Sequence, residues 1–216
     1  CETGNFEKVA DQVSNLIYEV SDGKPSVVGI SVAGSIDPTS GIVLRAQNLD
    51  WDNAPLASTI QKKTDCHVLI ENDVTSAAWG EFNFGAGRDV NSMFVVWIGT
   101  GIGGGLILDG KIWRGPLGTG GEFGMGISEQ NPDSEIRVLE ELSSRSGIQR
   151  QLHNTSLDSQ NIADLFGVND ELTAVVTNGA KRIGTSIANV ITLLSLDRVV
   201  LGGGLTEVLG IPYIDH

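Results

Sequence analysis

The sequence predicts an α/β protein with a parallel or mixed sheet, and three features carry that reading. Short apolar runs of strand type, at 27–33, 67–73 and 198–205, alternate with segments whose apolar residues recur every three or four positions. Two apolar runs, 92–98 and 198–201, lead straight into glycine clusters, the kind of strand end where open α/β sheets gather ligands. No linker, charge run, low-complexity tract or fixed-period repeat interrupts the 216 residues.

Taken in order, Phe6, Val9, Val13, Leu16, Ile17 and Val20 mark a helix with one buried face, ended by Ser-Asp-Gly-Lys-Pro. Residues 27–33 form a strand broken by Gly34, and 41–49 mix strand and loop. Residues 55–64 start with proline and predict a short helix. The strand 67–73 ends in polar residues, and 74–85 predict a helix. Two strands then surround a glycine cluster, with Asp109-Gly110 as a hairpin turn. Leu139, Leu142, Ile148 and Leu152 mark one helix, and 159–166 another. Leu172, Val176, Ile183, Ile187, Val190, Ile191 and Leu194 define a long buried helix. The strand from 198 closes the pattern on Gly202, Gly203 and Gly204.

Composition narrows the function. With 40% hydrophobic and 19% charged residues the chain reads as a soluble globular protein. Its net charge of −13 disfavours nucleic-acid binding through this segment, since phosphate contacts draw on Lys and Arg. Cys1 and Cys66 lack a CxxC spacing, so no disulfide framework is expected and a reducing, cytoplasmic setting is. No apolar run approaches the ~18 residues of a membrane span. The opening Cys-Glu-Thr-Gly-Asn-Phe and the close shortly after a glycine turn suggest a fragment.

Glycine makes up 28 of the 216 residues, and the excess belongs to turns and ligand loops. Gly99, Thr100 and Gly101, followed by Gly103, Gly104 and Gly105, form the first cluster. Such backbone can turn its N–H groups onto phosphate oxygens with no side chain in the way. It is not a P-loop, because no Gly-Lys-Ser/Thr follows, nor a dinucleotide fingerprint, because a strand rather than a helix follows. A plain glycine-rich hairpin fits these residues too. Asn72 and Asp73 sit at the end of a strand, where Asp73 can take a proton from a hydroxyl that Asn72 orients. Asp73 as a simple helix cap fits equally. Glu122 is flanked by glycines and accessible, Glu140 and Glu141 lie on a helix, and His67 and His153 read as structural.

These stretches converge on one pattern. The runs GISVAGSIDPTSGIV, NLDW, IENDVTSAAWGEFNFGAG, IGTGIGGGLILDGKIWRGPLGTGGEFG and VVLGGGL resemble, in order and spacing, the ROK family of repressors, open reading frames and sugar kinases. The resemblance implies a two-lobed ribonuclease H-like fold of the actin and hexokinase type, mixed sheets flanked by helices, with an ATP and sugar cleft. An incomplete N-terminal lobe would occupy 1–73 and a C-terminal lobe 74–216. It implies Asp73 as the base that deprotonates a sugar hydroxyl, and Asn72, Glu122, Glu140 and Gly34 as sugar ligands. Gly99, Thr100 and Gly101 match its second phosphate loop, and Gly202, Gly203 and Gly204 its adenosine turn. ATP with Mg2+ would be the cofactor, and a homodimer is compatible with the family.

The departures are specific. The family's zinc-binding His and three Cys correspond here to Met125, Asn131, Asp133 and Val138, so no zinc is expected. Its first phosphate loop lies upstream of residue 1, and the helix that closes the N-terminal lobe after the adenosine turn is also expected to be missing. The segment alone is therefore expected to be inactive. The resemblance implies an ATP-dependent kinase of a hexose or amino sugar. The alternatives are a sugar-responsive transcriptional repressor, whose DNA-binding domain lies outside this segment, and a catalytically retired sugar-binding protein.

Overall fold

A computed structural model of the chain describes residues 5–21, 25–116, 118–130, 135–154 and 156–215. Cys1, Asn131 and Asp133 lie outside the described residues. Two compact units are present, one of residues 1–76 with 114–119 and one of 77–113 with 120–216.

The first unit begins with helix α1 (Phe6–Val20), where Asn5 accepts the Lys8 N–H at 3.2 Å and so caps the first turn. Its buried line runs through Ala10, Ser14 and Ile17, with Phe6, Val9 and Val13 packed beside it. Leu16 and Val20, expected on that face, are 54% and 76% exposed. The apolar stripe is wider than the strip that the helix over residues 56–64 covers. Strands β1 (Val27–Val32), β2 (Ser35–Asp37), β3 (Ile42–Ala46) and β4 (Trp51–Ala54) follow, then α2 (Leu56–Thr64) and β5 (His67–Asn72). β1 and β5 pair in parallel, Val27 with His67 through to Val32 with Asn72. β2, β3 and β4 form an antiparallel sheet. The period of two shows in β5, where Val68 and Ile70 are buried and Leu69 between them is half exposed. Phe6 meets Trp51 edge to face at 5.3 Å.

The division between units falls inside α3 (Asp73–Phe84). Strands β6 (Met93–Ile98), β7 (Ile102–Leu108) and β8 (Lys111–Ile112) follow. Beyond them come β9 (Ile127–Glu129), β10 (Arg137–Val138), α4 (Leu139–Ser143) and α5 (Arg145–Gln151). The chain then forms α6 (Ser159–Leu165), α7 (Asp170–Leu194), β11 (Arg198–Gly202), α8 (Gly204–Leu209) and α9 (Ile211–Ile214). The main sheet has the order β11-β6-β7-β8, with β11 parallel to β6 and the rest antiparallel.

β6 is covered on both faces, as its unbroken apolar run demands. Phe94, Val96 and Ile98 join a core with Leu139, Ile148, Leu172, Val176 and Ile183, while Met93 and Val95 pack with Ala78 and Ile107. Full burial of each such side chain is worth about 1.5–3 kcal/mol, which fixes the register of the strand. Asp197 ties the starts of the two parallel strands together. It accepts the Ser92 N–H at 2.9 Å, the Ser92 hydroxyl at 2.9 Å and the Asn91 N–H at 3.1 Å. Those bonds, the Ser92 N–H foremost, hold its carboxyl below the usual carboxylate range.

Two expectations change. The apolar spacing over 139–152 belongs to two helices, because Ser144 is extended and its hydroxyl accepts the Gly147 N–H at 3.0 Å, capping α5. Gly103, Gly104 and Gly105 are strand residues of β7, paired with Trp97, Val96 and Val95. A Cβ on Gly104 would stand 2.7 Å from the Gly121 carbonyl oxygen, so this glycine serves close packing of the 120–124 segment. The hairpin turn is as expected, with Asp109 at φ 51° and Gly110 at φ 69°.

Candidate functional site

In the first unit Gly34, Asn72 and Asp73 come together where β5 passes into α3 with no intervening residue. Asn72 Oδ1 accepts the Thr75 N–H at 2.9 Å, the bond of an N-cap. Its Nδ2 donates to the Gly34 carbonyl and to Asp73 Oδ1, each at 3.0 Å. Asp73 Oδ1 also accepts the Val74 N–H at 3.0 Å. The capping bond three residues on is therefore made by Asn72 and not by Asp73. Asp73 is exposed, and its Oδ2 has no partner among the described residues. Gly34 holds φ +116°, and a Cβ there would meet the Ala46 side chain at 3.0 Å.

No local motif marks what steadies this corner. Arg114, 43 residues from Glu71, donates through Nε to Glu71 Oε2 at 3.1 Å and through Nη2 to the same oxygen. Glu71 Oε1 in turn accepts the Asn72 N–H at 3.0 Å. An ion pair thus ends on the backbone of the residue that orients Asp73.

In the second unit both glycine turns leave the C-terminal ends of adjacent parallel strands. β6 ends at Ile98 before Gly99, and β11 ends at Gly202 before Gly203. Gly203 takes φ +93°, and a Cβ there would lie 2.5 Å from the Ile98 carbonyl oxygen, so the two turns lie against one another. The Gly99 carbonyl accepts the Arg145 N–H at 2.9 Å, and the Thr100 carbonyl accepts the Ser146 N–H at 3.3 Å. In a trans peptide the following N–H points the opposite way. The N–H groups of Thr100 and Gly101 are thus directed away from α5, and neither finds an acceptor among the described residues. Converging free N–H groups make an anion-binding concavity.

Glu140, expected as a sugar ligand, stands at this turn. Its Oε2 accepts the Ile102 N–H at 2.7 Å, and any Cβ on Gly101 would strike the same oxygen. Glu122 is exposed at the start of the 3₁₀ turn Phe123–Met125, whose backbone packs onto β7 through Gly121 and Gly124. Arg145 was not a sequence-level candidate. Its Nη2 donates to the Thr100 hydroxyl at 2.6 Å, while its Nε is buried without a hydrogen-bond partner among the described residues.

At two of the positions that the resemblance matches to zinc ligands, Met125 is 52% exposed and Val138 has no ligand atom to offer. The described ends of that loop are joined as an antiparallel ribbon, Arg137 to Glu129 and Val138 to Ile127. Leu139 N–H donates to the Gly126 carbonyl at 2.8 Å, and Arg182 of α7 pairs with Glu129. These contacts hold the two described ends of the loop.

An α/β chain of mixed sheets flanked by helices, with two glycine turns on one strand edge and an Asn-Asp pair on another, is a defined class of protein. The chain belongs to the ROK family, whose family model matches residues 4–213. It is 31% identical over 225 residues to a glucokinase of Thermotoga maritima, covering 93% of this chain and 71% of that one. It is 29% identical over 209 residues to an N-acetylmannosamine kinase of Vibrio cholerae, covering 92% and 72%. The fold matches a ROK glucokinase of Streptomyces griseus solved with glucose and AMPPNP, at a TM-score of 0.81 and 25% identity over 98% of this chain and 77% of that one. It also matches a ROK transcriptional regulator, a homologue of the E. coli MLC protein, at 0.81 and 22% identity over 97% and 59%. Among the described residues no helix is long and apolar enough to cross a membrane.

Proposed function

We propose that this chain belongs to an ATP-dependent kinase of a hexose or amino sugar. The observation that carries the reading is the pair of glycine turns at the ends of β6 and β11, with two N–H groups and the Thr100 hydroxyl at the first. Nucleotide phosphates suit such a cradle, whose glycines leave no Cβ in the way. ATP, bound as its magnesium complex, would supply the transferable phosphoryl group.

Asp73 would act as general base toward a sugar hydroxyl. Its Oδ1 is held by Asn72 and Val74, which leaves Oδ2 to take the proton. Asn72 keeps that carboxylate in place while anchoring to Gly34, and Glu71 with Arg114 keeps Asn72 in place. Little covalent work falls to the protein in phosphoryl transfer, so positioning of this kind is the main contribution. Glu122 and Glu140 are the further sugar ligands of this reading. The loop over 125–138 works without zinc, and the expected setting is the cytoplasm.

The test uses the intact protein with Mg-ATP and a panel of hexoses and amino sugars, following ADP release. Sugar-dependent turnover is the expected result. Absence of turnover with every sugar would reject the kinase and favour the sugar-responsive repressor, which shares the fold. The intact Gly99-Thr100-Gly101 turn argues for the kinase, since an anion cradle has no evident use in a sugar sensor.

A further inference from the structure

Arg145, the first residue of α5, touches the first glycine turn twice. Its backbone N–H fixes the Gly99 carbonyl at 2.9 Å and its Nη2 reaches Thr100 Oγ1 at 2.6 Å. A guanidinium only donates, so the Thr100 hydroxyl must accept, and its own proton is left to point elsewhere. The neighbouring positive charge makes that hydroxyl a stronger donor. Thr100 is exposed, so the proton is offered toward solvent or a ligand.

The guanidinium itself is incompletely satisfied. Among the described residues it has no carboxylate partner, whereas Arg114, Arg182 and Arg198 pair with Glu71, Glu129 and Asp89. Its Nε is buried with no hydrogen-bond partner among the described residues. A half-buried cation without a carboxylate partner is costly unless another anion completes it, and the end of the guanidinium beside Thr100 is where one can approach. The chain as a whole carries 27 acidic against 14 basic residues. A polyanionic ligand approaching it therefore needs a local cation.

We propose that Arg145 is a phosphate-binding residue of the first glycine turn: its guanidinium, together with the Thr100 hydroxyl it orients, takes phosphate oxygens of the nucleotide. The proposal rests on the kinase reading and adds to it a side-chain cation from α5. The Thr100 and Gly101 N–H groups supply the neutral half of the site, and Arg145 supplies its charge.

Calorimetry on the intact protein separates the two ideas, with ATP and adenosine as probes. Arg145→Gln keeps an amide donor for Thr100 and removes the charge. It should weaken ATP binding about 10- to 100-fold, the loss expected for a charge-assisted bond, while adenosine binding stays unchanged. Arg145→Lys should recover part of the ATP affinity. In turnover assays the same variants should raise KM for ATP and leave KM for the sugar unaltered. Equal ATP affinity in wild type and Arg145→Gln would overturn the proposal and leave the kinase reading standing. Equal losses for ATP and adenosine would overturn it too, since they mean that the turn has collapsed. A wild-type protein that binds neither probe would overturn both.

Discussion

At the residue scale the centre of the account is Asn72, whose short amide makes three hydrogen bonds at once. It caps α3, holds the Gly34 carbonyl and steadies Asp73. Its removal would cost about 0.5–2 kcal/mol in the cap alone, so it is a poor probe of chemistry. Asp73 is the better probe, because Asp73→Asn keeps the shape and the Val74 bond while losing the base. That variant should lower kcat by about 10²- to 10⁴-fold and leave sugar affinity nearly intact, measured by turnover and by calorimetry with the preferred sugar. Full activity would remove Asp73 from the role. The sequence exposed the Asn72-Asp73 pair because strand-end position and side-chain chemistry are both local. It hid Glu71 and Arg114, whose partnership depends on the fold bringing residue 114 back to residue 71. Arg145 was hidden for the same reason: its contact with Thr100 spans 45 residues.

At the element scale, one glycine-rich run divides into two jobs. Gly99 and Gly101 form the turn, while Gly104 lets the 120–124 backbone come down onto β7. A period of two through Ile102, Gly104 and Leu106 was available in the sequence, but glycine has no side chain to show which face it occupies. The division of 139–152 into α4 and α5 was masked in the same way, since the apolar spacing continues across Ser144 and only the capping bond to Gly147 marks the break. The ribbon of β9 and β10 flanks the positions that the resemblance matches to zinc ligands. Strand pairing and the Arg182–Glu129 ion pair anchor it to α7. Arg182→Ala should therefore speed proteolysis within this ribbon and lower Tm, whereas a strong chelator should change neither. A chelator that lowers Tm, or stoichiometric zinc in the purified protein, would contradict that view.

At the scale of the molecule, the fold class was legible because the strands are strongly apolar and the helices strongly periodic. β6 is buried on both faces and reads as an unbroken run, and α7 carries its buried residues at helical spacing. The units were less legible: residues 114–119 group with the first unit although they follow β8 in sequence, a grouping no local signal announces. The proposed function rests on two sets of residues, one in each unit, and the most direct measurement follows both in solution. Hydrogen exchange of the intact protein, with and without a non-hydrolysable ATP analogue and a phosphorylatable sugar, reports on each backbone stretch separately. Nucleotide should protect residues 99–102 and 202–204, and sugar should protect 33–35 and 71–75. Unchanged exchange across both glycine turns at saturating nucleotide would contradict the account.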